Sequence, residues 1–283
     1  MKSVITLDNV KKMEVRSEDL DKVKLPFKKP VELKVIHQEK EYYLLIYLRR
    51  RTKQLLVLSN GAVDPKKKTP PIYMRSSWVE ELPGSLIFID DPTLHGTNLK
   101  LGWGQGTDGT FFLENIASFI DKLSNRLKYK RENIYFYGSS AGGFMSMMYA
   151  TMLKGSKAIV NNPQTNVLKY HEASVKPLLL HSYGTDDKDK IMEEFPQRVY
   201  VVEAFKYYGN IPVIYYFQNK KCDTDMRKHL TPLIVDMQKE KQNIKKLYVQ
   251  HYFNKAAGHN PIPKEGTIRL LNLAMSGNLD YHI

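Results

Sequence analysis

The sequence predicts an α/β protein in which helices cover both faces of a central, mostly parallel sheet. Three observations lead to this prediction: apolar runs alternate with helix-period segments, turn-forming residues bound the runs, and the chain has 283 residues. Strands of a buried parallel sheet are continuous apolar runs, and helices that lie on such a sheet repeat apolar residues every three or four positions. A chain of this length can bury a full core as one domain.

The predicted elements begin with an antiparallel hairpin. Its strands are residues 31–36 and 42–48, and polar residues separate them. Short apolar strands follow at 55–58 and 86–89, and each of them ends in turn-forming residues.

An amphipathic helix is predicted at 111–127, because its apolar residues recur three and four positions apart. The rest of the chain continues the alternation of strands and helices. The further predicted strands are at 134–137, 157–160, 213–217 and 247–253, and the further predicted helices are at 142–153, 224–241 and 267–275.

No internal repeat or low-complexity linker marks a domain boundary. We therefore predict an N-terminal extension at residues 1–30 and a single domain at residues 31–283. Residues 163–210 mix helical and strand-like stretches, so this segment is predicted to be a possible cap inserted into the domain.

The chain is strongly basic, since 43 Lys and Arg exceed 30 Asp and Glu and give a formal net charge of +13. Such a surface attracts polyanions, for example an anionic polysaccharide or the phosphates of a metabolite. The basic clusters are short, and none belongs to a nucleic-acid module with interleaved aromatic residues. No nucleic-acid partner is therefore expected.

Cys222 is the single cysteine, so neither an intramolecular disulfide nor a cysteine-cluster metal site is available. We predict no metal site and a location in the reducing cytoplasm. No run reaches the roughly 18 apolar residues that a membrane helix needs, and the first residues lack the apolar core of an export signal. The chain is not expected to span a membrane.

The chemistry is predicted from Gly138-Ser139-Ser140-Ala141-Gly142, a G-x-S-x-G motif between a predicted strand and a predicted helix. This turn is so tight that the residues two before and two after the serine must be small. The motif predicts that Ser140 stands at the carboxyl edge of the sheet as a nucleophile. A glycine-rich turn with an incidental serine is the simpler alternative.

A serine hydroxyl needs a base, and His259 lies in a turn a few residues after the last predicted strand. A carboxylate should hold the imidazole, and the loop after the strand at 213–217 offers Asp223 and, as its near rival, Asp225. Asp223 is the prediction, although either residue could instead cap the following helix. The acidic stretch at the end of residues 178–187 is a further rival that chain order disfavours.

The remaining site residues are predicted from the turns near the motif. The backbone N–H of Ala141 is expected to bind the oxyanion, with a second N–H from Gly61 or Ala62 in the turn after residues 55–58. A plain glycine turn is the alternative for this second donor. Arg75 and Trp103 are predicted to bind substrate at the rim, with ordinary packing as the alternative.

The order of strands, the serine turn, the late acid and the final histidine together resemble the α/β-hydrolase fold. Within that fold, three stretches resemble the bacterial capsular-polysaccharide biosynthesis family, which is similar to capsule O-acetyltransferases of the meningococcal serogroup A kind and to accessory Sec system acetyltransferases. These stretches are Tyr137 to Met145, Ala158 to Thr165 and Ile89 to Thr93.

The resemblance implies a cytoplasmic enzyme that moves an acetyl group through a seryl ester, with Ser140 as nucleophile, His259 as base and Asp223 as acid. We expect acetyl-CoA as donor, an anionic polysaccharide or glycan as acceptor, a possible capsule biosynthesis complex as partner, and no permanently bound cofactor. A carboxylesterase or polysaccharide deacetylase with the same three residues is the first alternative. A non-catalytic scaffold of a capsule assembly complex is the second.

Overall fold

The computed structural model describes residues 10–279. Within this range, nine strands form one sheet with the spatial order β1-β2-β3-β5-β4-β6-β7-β8-β9. Their bounds are β1 Lys11–Arg16, β2 Pro30–His37, β3 Lys40–Tyr47, β4 Leu55–Leu58, β5 Ser85–Ile89, β6 Ile134–Ser139, β7 Lys157–Asn161, β8 Val213–Asn219 and β9 Leu247–Tyr252.

Helices alternate with the strands from β5 onward, and α9 follows the last strand. Their bounds are α1 Phe112–Arg126, α2 Ala141–Met152, α3 Glu172–Tyr183, α4 Lys188–Glu194, α5 Pro196–Val199, α6 Val201–Tyr207, α7 Asp223–Asp225, α8 Thr231–Lys239 and α9 Lys264–Met275. A single π-helical turn, Met226–Leu230, joins α7 to α8. Among the described residues, no helix is both long and apolar enough to cross a membrane.

The sheet is mostly parallel. Only β3 runs antiparallel to its neighbours, which are its hairpin partner β2 and the strand β5. All other neighbouring strands pair in parallel. The predicted hairpin and the predicted parallel sheet are thus both confirmed.

Two apolar layers enclose the sheet. The larger cluster packs α1, α2, α3, α6 and α8 on one face, around buried side chains such as Phe136 and Val160. The smaller cluster packs α9 and side chains from residues 73–82 on the other face, around Tyr137 and Phe217. Because alternate side chains of a strand point to opposite faces, neighbouring residues of β6 contribute to different layers. The prediction of helices on both faces is confirmed.

The chain differs in two places from what its pattern predicts. Of the predicted extension at residues 1–30, the first nine residues lie outside the described residues, and Lys11–Arg16 forms β1 and pairs in parallel with β2. The predicted cap segment, residues 163–210, contains α3 to α6 and one isolated bridge instead of strands. Its last helix, α6, packs against α2 and therefore belongs to the layer on the sheet.

The parallel order brings the carboxyl ends of β4, β6, β7 and β8 to the same edge of the sheet. The β6–β7 register pairs Ser139 with Asn161, and the β7–β8 register pairs Asn161 with Phe217. Loops that leave this edge are thereby neighbours, although they are far apart in the sequence. Ligands of open α/β sheets bind at this edge.

Candidate active site

The strand-to-helix turn after β6 holds Ser140 in a strained conformation, with φ 56° and ψ −125°. Side-chain-bearing residues rarely adopt a positive φ, and such strain is typical of a nucleophile presented on a sharp turn. The turn is held by hydrogen bonds from the Ser140 N–H to the Asn161 carbonyl (3.2 Å) and from the Gly143 N–H to the Ser140 carbonyl (3.0 Å).

Both glycines of the motif are required by close backbone contacts. A Cβ on Gly138 would lie 2.1 Å from the Gly142 carbonyl oxygen, and a Cβ on Gly142 would lie 2.7 Å from the Asn60 carbonyl oxygen. No larger residue fits either position without displacing backbone. The steric requirement inferred from the sequence is present in the structure.

A chain of short hydrogen bonds joins three side chains at this turn. His259 Nε2 lies 2.8 Å from Ser140 Oγ, and His259 Nδ1 lies 2.7 Å from Asp225 Oδ2. Because the carboxylate can only accept, His259 carries its proton on Nδ1 and presents the lone pair of Nε2 to the serine hydroxyl. This arrangement can remove the proton of Ser140 and stabilise the imidazolium that forms.

The carboxylate that contacts His259 is Asp225, which corrects the predicted assignment of Asp223. Residues two apart in a helical turn point about 200° apart, so only one of these two can face the histidine. Asp225 is 2% exposed, whereas Asp223 is exposed to solvent. The strand β8 continues to Asn219, two residues beyond its predicted end, and the helical turn that follows begins at Asp223, so Asp225 lies on the side of this turn that faces His259.

Two buried asparagines hold the loop that carries His259. The Asn162 side-chain amide donates to the carbonyls of His259 and Asn260, both at 3.1 Å. The Asn219 side-chain amide donates to the Gly258 carbonyl at 2.8 Å. The backbone N–H of Asn219 in turn donates to Asn162 Oδ1 at 2.8 Å, so the two asparagines also fix each other.

The side-chain amide of Gln164 contacts the candidate nucleophile, Ser140. Gln164 is fully buried, and its Nε2 donates to Ser140 Oγ at 2.8 Å. The indole Nε1 of Trp103 donates to Gln164 Oε1 at 2.7 Å. Trp103 is fully buried, so it does not lie at a rim, and its predicted position as a surface contact for substrate is corrected.

Sequence reasoning assigned no role to Gln164, Asn162 or Asn219. The available signal was the polar run that follows the buried strand β7, because polar side chains at the carboxyl end of a parallel strand face the ligand edge. Asn219 ends β8 in the same way.

Two of the three predicted oxyanion donors, Ala141 and Gly61, border the serine turn. Ala141 is the first residue of α2, so its N–H has no acceptor within the helix. The Gly61 N–H contacts Met74 Sδ at 3.1 Å, and a thioether is a weak acceptor. A Cβ built on Gly61 would lie 3.6 Å from the Ser139 carbonyl oxygen, so this loop borders the serine turn. Ala62 is exposed. The oxyanion role of these residues stays a prediction.

Arg75 lies against the same turn. Its Nη2 donates to Ser139 Oγ at 2.7 Å, and its guanidinium stacks 5.2 Å from the Tyr137 ring centroid and 5.6 Å from the Trp78 ring centroid. Its Nη1 is buried and has no hydrogen-bond partner among the described residues. A guanidinium nitrogen without a protein acceptor can bind an anionic group, but Nη1 is closed to solvent here, so a ligand would reach it only after neighbouring side chains move.

Three further side chains surround the acid and the base. Burial raises the pKa of Tyr170, although a hydrogen bond with Ser140 acts in the opposite direction. Burial lowers the pKa of His229 to about 4, so this imidazole is neutral at pH 7. Burial also raises the pKa of the Cys222 thiol. None of these groups adds charge to the site at neutral pH.

The ligand atoms of Cys222, Asp225 and His259 lie within 4.8 Å of one another, and these three residues are a group among the described residues that could hold a metal ion. A metal on Nδ1 would displace the hydrogen bond between Asp225 and His259. Asp225 and His259 Nδ1 therefore cannot bind a metal ion and keep the hydrogen bond that orients His259 toward Ser140 at the same time.

No protein-family model matches the chain, and no curated protein sequence matches it significantly. Solved structures do match. A capsule O-acetyltransferase of Neisseria meningitidis serogroup A superimposes with a TM-score of 0.59 and 12% identity, over 86% of this chain and 95% of its own. A variant of that enzyme is in complex with CoA.

Two further solved structures share the architecture. A chain of the Glycosylation Associate Protein (Gap123) complex from Streptococcus agalactiae has a TM-score of 0.61 and 13% identity, over 85% of this chain and 45% of that one. An S-formylglutathione hydrolase from Agrobacterium tumefaciens has a TM-score of 0.56 and 13% identity, over 92% and 96%.

Together with the parallel sheet and the serine turn, these matches show that the chain has the α/β-hydrolase fold. The resemblance to capsule O-acetyltransferases that the sequence predicts is confirmed at the level of the fold. Identities this low establish the fold alone.

Proposed function

We propose that this chain is a serine O-acetyltransferase that moves an acetyl group from acetyl-CoA to a hydroxyl of an anionic polysaccharide. The observation that carries the proposal is the hydrogen-bonded chain from Asp225 through His259 to Ser140. It ends on a serine whose backbone is strained at the carboxyl edge of the sheet. Acid, base and nucleophile in this order are the requirements of acyl transfer through a seryl ester.

In the first half-reaction, the proton of Ser140 Oγ passes to His259 Nε2 while Oγ attacks the thioester carbonyl. The N–H groups of Ala141 and Gly61 bind the oxyanion. The carbon–sulfur bond then breaks, and the CoA sulfur takes the proton from His259. The acetyl group remains on Ser140.

In the second half-reaction, a sugar hydroxyl gives its proton to His259 and attacks the acetyl carbonyl. The bond between the acetyl carbon and Ser140 Oγ breaks, and Oγ takes the proton back from His259. The enzyme returns to its starting state. Hydrolysis differs only in that water replaces the sugar hydroxyl.

Charge supports an anionic acceptor. The net charge of +13 attracts polyanions at long range. At the serine turn, Nη1 of Arg75 has two N–H donors without a protein acceptor among the described residues, and an anionic group would reach them once the side chains that cover Nη1 move aside. We therefore propose that Arg75 binds a carboxylate or phosphate of the acceptor chain close to the hydroxyl that is acetylated.

Two observations support the choice of donor and setting. A capsule O-acetyltransferase of the same fold has been solved with CoA, which is the product of the proposed first half-reaction. Cys222 is a free thiol, which suits a reducing compartment. We propose that the chain works in the cytoplasm, as part of a capsule biosynthesis complex.

The test is to incubate the protein with acetyl-CoA and to measure its intact mass. We expect one acetyl adduct on the wild type, on Ser140 when the labelled peptide is sequenced. Ser140→Ala and His259→Ala should show no adduct. Ser118→Ala, which changes an exposed serine of α1, should label like the wild type.

Other outcomes select between the alternatives. Labelling of Ser140 by an activated acetyl ester or a fluorophosphonate, but not by acetyl-CoA, would replace the transferase with an esterase or deacetylase. A folded protein that no acyl probe labels would contradict the proposed function and favour a non-catalytic scaffold.

A further inference from the structure

We propose that Gln164 is a further catalytic residue, whose side-chain amide stabilises the negative charge that develops on Ser140 Oγ. The inference rests on the proposed function, because it requires Ser140 to be the nucleophile. Gln164 lies just after β7 and is fully buried, and its Nε2 is 2.8 Å from Ser140 Oγ. An amide nitrogen can only donate, so this contact has one direction.

Trp103 decides which end of the amide faces the nucleophile. The indole N–H is a donor only, and it lies 2.7 Å from Gln164 Oε1. If the amide turned over, two donors would face each other at Trp103 and a carbonyl oxygen would face Ser140 Oγ. The fully buried Trp103 therefore acts as a positioning residue that keeps the NH₂ group on the serine.

The backbone of Gln164 is held as well. Its N–H donates to the Ser140 carbonyl at 3.2 Å, so both the main chain and the side chain of Gln164 are tied to the same serine. The donor is thus in place before any charge develops. A donor that is positioned in advance and shielded from water needs no reorganisation when the charge appears.

The contact also directs the proton of Ser140. The hydroxyl oxygen has one proton and two acceptor positions. Gln164 occupies one acceptor position and the Tyr170 hydroxyl, which also hydrogen-bonds to Ser140, can donate into the other, while His259 Nε2 lies 2.8 Å away and needs a donor. The hydroxyl proton is therefore directed to His259.

The stabilised charge appears twice in the reaction. It develops on Oγ as the proton moves to His259 and before the bond to the acyl carbon is complete. It develops again when the acyl-enzyme breaks down, since the electron pair of the breaking C–O bond returns to Oγ until His259 delivers a proton. The hydrogen bond from Gln164 strengthens at both points because its acceptor becomes charged.

The experiment measures the rate at which an uncharged fluorophosphonate labels Ser140, followed by intact mass from pH 5 to pH 9. Gln164→Ala should label about ten- to a hundredfold more slowly than the wild type, as expected for the loss of a hydrogen bond to a charged group. Trp103→Phe keeps the amide but frees its orientation, so it should show a smaller loss.

Gln164→Glu gives a readout that a purely structural role would not change. The carboxylate keeps an acceptor for Trp103 but places negative charge beside Oγ. Its labelling rate relative to the wild type should rise as the pH falls, because a protonated carboxyl group can donate again. Gln105→Ala is the matched control, since Gln105 is also fully buried and its side-chain amide donates to the carbonyls of Arg198 and Trp103.

Melting temperatures establish that each variant is folded. Three outcomes would overturn the role of Gln164 while leaving Ser140 as nucleophile. Gln164→Ala could be labelled at the wild-type rate, Gln105→Ala could be slowed equally, or the ratio of the Gln164→Glu rate to the wild-type rate could be independent of pH. A folded wild type that is not labelled at all would overturn the proposed function and this inference together. The two failures are therefore distinguishable.

Discussion

The Asp225→Asn substitution tests the site most directly. The substitution preserves shape, but the amide can present an N–H to His259 where the carboxylate accepts from Nδ1 at 2.7 Å. If Nδ1 becomes an acceptor, the ring proton moves to Nε2. His259 Nε2, which lies 2.8 Å from Ser140 Oγ, then has no lone pair to accept the proton of Ser140.

The size of the effect follows from the geometry. A carboxylate and an imidazolium about 4 Å apart, at an effective dielectric constant of about 20, attract each other by about 4 kcal/mol. This attraction corresponds to roughly a thousandfold in rate, because each 1.36 kcal/mol is about tenfold. Loss of the correct tautomer brings the expected decrease to about 10⁴-fold, as in other Ser-His-Asp sites. The side chain of Asp225 is 3% exposed and that of His259 is 31% exposed, so a dielectric constant of about 20, between those of a dry interior and of water, suits this pair.

The assay is the hydrolysis of an activated acetyl ester, with kcat and KM measured separately. The expected loss lies in kcat, since the substitution leaves the binding surface in place. Asp223→Asn is the matched control, because Asp223 is exposed and two positions away, and it should retain full activity. Equal losses in the two variants, or an active Asp225→Asn enzyme, would refute the assignment of Asp225.

Three further predictions follow from single contacts. Gly138→Ala should lower the melting temperature by an amount equivalent to about 3 kcal/mol, since the added Cβ would lie 2.1 Å from a backbone oxygen. Gly109→Ala is the control, because an added Cβ there has no atom within 4 Å, and it should leave the melting temperature unchanged. Equal melting temperatures in the two variants would contradict this prediction. Burial lowers the pKa of His229 to about 4, so its contribution to stability is present above about pH 6.5 and is lost as the pH falls toward 4. Urea unfolding of His229→Gln should therefore lack about 3 kcal/mol of the wild type's acid sensitivity, and parallel pH profiles would argue against it. Arg75→Met should raise the KM for an anionic acceptor at least about tenfold in saturation kinetics, with partial recovery in Arg75→Lys, and an unchanged KM would remove Arg75 from the acceptor site.

Most strands and helices could be predicted from local pattern. The buried strand β6 is a continuous apolar run, and α1 repeats its apolar residues at helical spacing, so hydrophobicity alone indicates both. The sequence does not predict the strand β1, Lys11–Arg16, because four of its six residues are charged and its two apolar residues are only partly buried. Its conformation comes from pairing with β2, and that contact cannot be read from six residues.

The candidate site also contains residues that local pattern predicts and residues that it does not. Ser140 and His259 were predicted because a sharp glycine turn and a late histidine are local features. The choice between Asp223 and Asp225 depends on where β8 ends and on the phase of the following helix, and a shift of two residues reverses it. The part played by Gln164 depends on a tryptophan 61 positions earlier in the chain.

The sequence by itself determined the alternation of strands and helices and the steric need for glycine around Ser140, because both follow from interactions within a few residues. The tertiary structure decided which acid, which amide and which guanidinium reach the serine turn. His259 lies 34 positions from Asp225 and 119 from Ser140. Only the order of strands in the sheet brings such distant side chains within hydrogen-bond distance, and that order results from packing of the whole chain.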